Sequence, residues 1–325
     1  MKPSFLGLAG QIAESRSLVR DYCFPKPRGV SKIFFCGLGG SAASGDILRT
    51  LLSPGRPLPF SVCRSGDLPS WVDRKTLAVF SSYSGNTAEA LSAFQKASAA
   101  GAKLFAVTSG GKMAGLAQKR KAPCLLIPPG MPPRFALGYL SFSLILTFKK
   151  WGWLRLENGE IEETIRTLRH LDRNPALGRT LARRLSGRSI HIYAVRGRLL
   201  EPVARRWRAQ FAENAKTLAS HGLLPEMFHN EIEAWQFPRP VIKKSAAVFL
   251  TDRGDPSWIQ RKKAQAQHLI RRGGARVLEV QSRGRSPLAR IFSLVGLGDQ
   301  VSLELAGRYG VDPVSIPSIE QLKKI

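Results

Sequence analysis

Short apolar runs rich in β-branched and aromatic residues recur along the chain, each followed by a longer stretch in which apolar positions return every three or four residues. In the first half these runs are KIFFC (32–36), TLAVFS (76–81), KLFAVT (103–108) and PCLLIP (123–128). A helix over 134–151 follows, and the rhythm resumes with SIHIYAV (189–195), AAVFLT (246–251) and ARVLEV (275–280). Apolar runs of this length bounded by turn residues read as strands, and strands that alternate with helices are joined by crossovers that leave them parallel. The pattern predicts an α/β protein of two units, each a mainly parallel sheet covered by helices on both faces. The boundary is expected near KKWGWLRLENGE (149–160), where the apolar helix ends in aromatics and a turn-forming Asn-Gly, giving domains 1–152 and 153–325.

Composition narrows the setting. The longest apolar run, ALGYLSFSLILTF (136–148), falls short of the roughly 20 residues that span a bilayer and reads as a core helix. The amino-terminal MKPSFLGLAGQIAESRS holds too short an apolar run for a signal peptide, so a cytoplasmic protein with no membrane partner is expected. Fifty Lys and Arg against 23 Asp and Glu give a net charge of +27, which favours anionic partners. The basic residues are scattered in short groups such as RRWR (205–208), RKK (261–263) and RR (271–272), with no nucleic-acid motif beside them. A solvated surface is therefore expected, and no nucleic-acid partner. Cys23, Cys36, Cys63 and Cys124 form no Cys-x-x-Cys pair, which points to reduced thiols rather than a zinc site or a disulfide framework.

Two strand-to-helix turns carry the candidate chemistry. FFCGLGGSAASGDIL (34–48) runs through Gly37, Gly39 and Gly40 into Ser41. Glycine lets backbone approach a ligand closely, and the serine adds a hydroxyl at a helix N-terminus. GLGGSA formally meets the alanine-ending variant of the dinucleotide fingerprint. No acidic residue ends a second strand about 20 residues on, where position 63 is Cys63, and this speaks against a dinucleotide. The second turn, SSYSGNT (81–87), supplies Ser82, Ser84 and Thr87. In a doubly wound sheet the loops after neighbouring strands open on the same carboxyl edge, so the two loops can ring a phosphate monoester. Helix capping is the competing role for each hydroxyl taken alone.

GLGGSAASGD and SSYSGNTAEA resemble the phosphosugar-binding motifs of the sugar isomerase (SIS) domain. With PPRFALGYL (132–140), ARRWRAQFAENAK (204–216), FHNEIEAW (228–235) and IPSIEQLKKI (316–325) in order, nearly the whole chain resembles the bifunctional phosphoglucose/phosphomannose isomerases. The resemblance implies two SIS-type, flavodoxin-like α/β/α domains, with the phosphosugar loops in the first and the catalytic Glu and His and the C-terminal helix in the second. It also implies metal-independent and cofactor-independent interconversion of fructose 6-phosphate with glucose 6-phosphate and mannose 6-phosphate. Phosphate would sit on Gly39, Gly40, Ser41, Ser82, Ser84 and Thr87.

Aldose–ketose isomerisation needs a base, assistance to ring opening and positive charge beside the enediolate. By resemblance Glu213 is the base, although a helix carboxylate is by default a surface group and Glu231 competes for the role. His229 would assist ring opening from the neighbouring subunit of a homodimer. Arg134, held behind two prolines, would stabilise the enediolate. Lys323 would reach the sugar from the C-terminal helix, with Lys324 as its neighbour and alternative. A phosphosugar sensor without catalysis, or an isomerase of another phosphosugar, remains the alternative.

Overall fold

The computed structural model describes residues 7–22, 24–52, 58–157 and 159–322. Its contacts concentrate in two compact units, one ending at Ile165 and the other beginning at Arg166.

In the first unit α1 (Leu8–Asp21) precedes the alternation β1 (Lys32–Cys36), α2 (Gly39–Leu52), β2 (Phe60–Cys63), β3 (Thr76–Ser81), α3 (Ala88–Ala99), β4 (Lys103–Thr108), α4 (Gly111–Lys119) and β5 (Cys124–Leu126). A 3-10 turn at Pro133–Phe135 then leads into α5 (Leu137–Lys150). The sheet order is β2-β1-β3-β4-β5 with every neighbouring pair parallel. This is the flavodoxin-like order, in which the chain turns in opposite directions from β1 and β3 and leaves a crevice at their carboxyl ends.

Burial explains why these segments are strands and helices. All six positions of β3 are buried, as a central strand covered on both faces requires. On one face Phe34, Phe80 and Phe94 pack with Ala90, Ala93 and Ala97, the small residues letting α3 lie close to the sheet. Full burial of each phenylalanine contributes about 1.5–3 kcal/mol. On the other face a Cβ at Gly45 would lie 2.4 Å from the Phe35 ring, so α2 reaches the sheet only through glycine. Helix α5 is buried on nearly every side as far as Phe148 and packs against α1, α2 and β4.

The second unit repeats the plan. Helix α6 (Glu160–Arg173) leads into it, followed by α7 (Ala176–Leu185), β6 (Ser189–Val195), α8 (Glu201–Ala215), β7 (Ala219–Leu224), α9 (Arg239–Lys243), β8 (Ser245–Thr251), α10 (Ser257–Arg272), β9 (Arg276–Gln281), α11 (Pro287–Tyr309) and α12 (Pro317–Leu322). The sheet order is β7-β6-β8-β9, again parallel throughout. Tyr193, Val195, Phe249, Ile270 and Val277 belong to the core beneath α10, while α8 packs on α11.

The runs at 32–36, 76–81, 103–108 and 189–195 form strands with the expected limits. Two strands, β2 and β7, are additional to the expected set; both are edge strands of their sheets. The helix expected over 134–151 divides into the 3-10 turn and α5 at Ala136, whose φ of −90° and ψ of 15° lie outside the α-helical region. Among the described residues no helix is long and apolar enough to cross a membrane.

Candidate active site

The first unit brings both sequence-derived loops to the carboxyl ends of β1 and β3. Gly37 follows β1 directly, and a Cβ there would lie 2.9 Å from the Ser81 carbonyl oxygen. At Gly40 a Cβ would lie 2.9 Å from the Pro133 carbonyl oxygen, so the glycine loop is wedged between the end of β3 and the 3-10 turn. Gly39 has a φ of +53°, which a side chain would strain. Ser41, buried in the first turn of α2, accepts at Oγ from the main-chain N–H of Tyr83 at 3.3 Å.

That hydrogen bond joins the glycine loop to the hydroxyl loop. Within the latter, Ser82 Oγ donates to Thr87 Oγ1 at 3.0 Å. Thr87 occupies the position before α3, yet its side chain makes no capping bond; its carbonyl accepts from Leu91 N–H at 3.0 Å. The capping role that competes for this threonine is thus absent, and its hydroxyl is turned toward Ser82. Ser84 differs: it is exposed, and its Oγ accepts from Asn86 N–H at 3.3 Å within the same turn. The N-termini of α2 and α3, each electropositive, start from these two loops, a setting suited to a dianion.

A third loop, TSGG after β4, props the second and is a contributor that the sequence reading did not single out. Ser109 Oγ donates to the Tyr83 carbonyl at 2.6 Å, and Lys112 N–H donates to Asn86 Oδ1 at 3.1 Å. A Cβ at Gly85, whose φ is +68°, would lie 1.9 Å from the Gly110 carbonyl oxygen. The signal was available, since TSGG is a further strand end passing through glycines into a helix. Tyr83 itself is anchored by its hydroxyl, which donates to the Pro128 carbonyl at 2.8 Å and accepts from Met131 N–H at 3.2 Å. Asp46, in the same motif as Ser41, pairs with Arg64, the residue after β2.

Arg134 is 3% exposed in the 3-10 turn that meets Gly40, its guanidinium carbon 5.0 Å from the Phe135 ring centroid. The turn is fixed from α1, where Gln11 Nε2 donates to the Phe135 carbonyl at 2.7 Å. Arginine is thus buried beside the glycine loop on a doubly braced turn.

In the second unit Glu213 lies in the last turn of α8, partly exposed. The rest of that helix is locked to α11. Arg206 holds Asp299 through both carboxylate oxygens at 3.0 and 2.9 Å, and Gln210 donates to Asp299 at 2.8 Å. Asn214, beside Glu213, donates to Ser302 Oγ at 2.9 Å in a buried setting. Trp207 Nε1 donates to the Leu294 carbonyl at 2.7 Å, and a Cβ at Gly298 would come within 2.2 Å of that indole nitrogen. Glu213 therefore rides on a helix whose rotation and height are set by four contacts.

His229 is exposed at the end of a 3-10 turn, Glu226–His229. The next residue, Asn230, caps the following turn by accepting from Glu231 N–H at 2.5 Å and donates to Glu226 at 3.0 Å. Glu231 accepts from the Tyr193 hydroxyl at 2.7 Å, and Trp235 Nε1 donates to that hydroxyl at 3.1 Å. Burial, followed by the charge of Glu231, holds the Tyr193 hydroxyl far above its ordinary pKa, so it stays a donor. Glu231 thus has a partner within its own fold that ties the His229 segment to the sheet. Lys323 and Lys324 lie outside the described residues. Among the described residues no group of three His, Cys, Asp or Glu is placed to hold a metal ion.

Residues 28–127 match the SIS domain, and residues 174–325 match the bacterial phospho-glucose isomerase C-terminal SIS domain. The bifunctional phosphoglucose/phosphomannose isomerase of Caldicellulosiruptor bescii is 38% identical over 92% of this chain and 90% of its own length. This chain belongs to the bifunctional phosphoglucose/phosphomannose isomerase family. A second member, from Thermoplasma acidophilum, is 34% identical over 90% of this chain and 89% of its own. In fold, the family member is similar to the tagatose-6-phosphate ketose/aldose isomerase of Escherichia coli, with a TM-score of 0.72 at 16% identity over 94% of this chain and 90% of that one. Family membership and fold agree on two SIS-type α/β units.

Proposed function

We propose that this isomerase-family protein interconverts fructose 6-phosphate with glucose 6-phosphate and mannose 6-phosphate through an enediolate. The observation that carries the reading is the Tyr83–Ser41 hydrogen bond, which brings the glycine and hydroxyl loops together at the β1/β3 crevice, within a chain of this family. The phosphate lies against Ser41, Ser82, Thr87 and the Gly39–Gly40 backbone, with Ser84 at the exposed rim.

Each residue then has one task. His229, supplied by the partner subunit of a homodimer, exchanges a proton with the ring oxygen as the sugar opens. Glu213 takes the proton from C2 of the aldose and returns it to C1, giving the ketose; reversal gives the aldose. Arg134 holds the enediolate oxygen through two donors, and Lys323 adds positive charge at the sugar. Because C2 is planar in the enediolate, protonation from either face gives glucose 6-phosphate or mannose 6-phosphate. No step calls on a cofactor.

The test is turnover of fructose 6-phosphate by the purified protein, with the two aldose products measured separately. Both products are expected. Glucose 6-phosphate alone would restrict the substrate range, and binding without turnover would replace the enzyme by a phosphosugar sensor.

A further inference from the structure

Lys216 sits where α8 ends, three residues beyond Glu213, in the left-handed conformation with φ 52° and ψ 35°. Glycine is the usual occupant of that helix-ending position, because a β-carbon there is strained. Lys121 is the other non-glycine residue at positive φ among the described residues; what sets Lys216 apart is what its side chain does. The ammonium donates to three main-chain carbonyls: Glu213 at 2.6 Å, Asp312 at 2.8 Å and Ser315 at 2.7 Å. An ammonium carries three N–H donors, and here each has a carbonyl within reach.

The three carbonyls belong to two different segments. One ends the helix that bears Glu213, where unsatisfied carbonyls and the helix dipole favour a cation. The other two lie in the link between α11 and α12, the helix that ends at Leu322. Helix α12 has no buried residue, and Leu322 at its end is 71% exposed. Apolar packing therefore does not fix the course of this segment, and the bonds made by its link carry more of that task.

We propose that Lys216 is a positioning residue that clamps the C-terminal segment to the end of the Glu213 helix, setting where that segment stands relative to the base. The inference rests on the reading of Glu213 and Lys323 given above. Lys216 acts through the two segments it joins rather than by touching substrate.

The decisive variant is Lys216→Gly, which removes the ammonium while relieving the backbone, so the fold is expected to melt no lower than the parent. Hydrogen exchange in the full-length protein should show faster exchange across 312–322 and unchanged exchange across α11. In the isomerase assay kcat should fall about tenfold to a hundredfold, the scale of a misplaced reacting group, while KM for fructose 6-phosphate stays within about twofold. Combined with Lys323→Ala and Lys324→Ala, the Lys216→Gly loss should be absorbed rather than multiplied, because both changes disable the same segment. Unchanged exchange across 312–322 would overturn the clamp. Fully multiplicative kinetic losses, or a fall in melting temperature that parallels the fall in kcat, would overturn the positioning role. If Glu213→Gln were fully active, the catalytic reading would fail while the exchange result still judged the clamp.

Discussion

The main-chain N–H of Tyr83 donates to Ser41 Oγ across 42 residues of sequence, fastening the loop after β3 to the first turn of the helix after β1. A serine used in this way serves the loops even before a ligand arrives. Ser41→Ala is expected to lose this tie and a phosphate contact together, raising KM for fructose 6-phosphate about 10- to 100-fold, the scale of one hydrogen bond to a charged group. The fall in kcat should be smaller. Steady-state kinetics separate the two, and an unchanged KM would remove Ser41 from the phosphate site.

Gly85 is the tightest point of the hydroxyl loop. A methyl group there meets the Gly110 carbonyl and a positive φ at once. Gly85→Ala is expected to cost about 1–3 kcal/mol from the backbone conformation alone, with the clash adding to it. Thermal melting should show the loss, and isothermal titration should show weaker phosphosugar binding. A variant with parental melting and binding would mean that the loop tolerates another course.

Glu213 and Glu231 are the two carboxylates that compete on sequence grounds, and their surroundings separate them. Glu231 is bonded to Tyr193, whereas Glu213 stands in the last turn of the braced helix α8. Glu213→Gln should lower kcat by about 10²–10⁴-fold with little change in KM, the range expected for loss of a general base. Glu231→Gln keeps an acceptor for Tyr193 and should cost much less. The reverse order of effects would transfer the role to Glu231.

His191 offers a pH test independent of catalysis. Its ring lies 4.9 Å from that of Trp235, and Nδ1 is 2.8 Å from Ser220 Oγ. Burial lowers its pKa below the ordinary 6.5, against a smaller opposing effect of Glu231. The unfolded chain therefore binds this proton more readily than the folded one. The stability contributed by neutral His191 is present above about pH 6.5 and lost as pH falls toward the depressed folded value. His191→Phe should reduce the drop in melting temperature between pH 7.5 and pH 5. An equal drop in both proteins would show that the ring titrates as freely in the fold as outside it.

What the sequence disclosed follows from which signals are local. Central strands such as SIHIYAV and TLAVFS declare themselves because two covered faces demand nearly continuous apolar residues. The edge strands FSVC and ASHGLL were missed: none of the four residues of β2 is fully buried, and β7 contains serine, histidine and glycine. Neither shows the nearly continuous apolar run by which the other strands, the edge strands β5 and β9 included, declare themselves. The glycine and hydroxyl loops were legible as motifs. The Tyr83–Ser41 bond and the Gly85–Gly110 contact were not, because each depends on which strands become neighbours. Lys216 ends the run ARRWRAQFAENAK, but its three acceptors lie up to 99 positions away.

The indole of Trp207 fills the space that a side chain at position 298 would need, on the seam that supports Glu213. For inheritance this makes the two positions a single character. A change at 298 has no route forward until 207 has shrunk, and a smaller residue at 207 leaves a vacancy that 298 can then fill. Lineages of this isomerase should accordingly exchange the pair together, so that the order of substitutions, and not only their identity, decides which descendants keep a working helix.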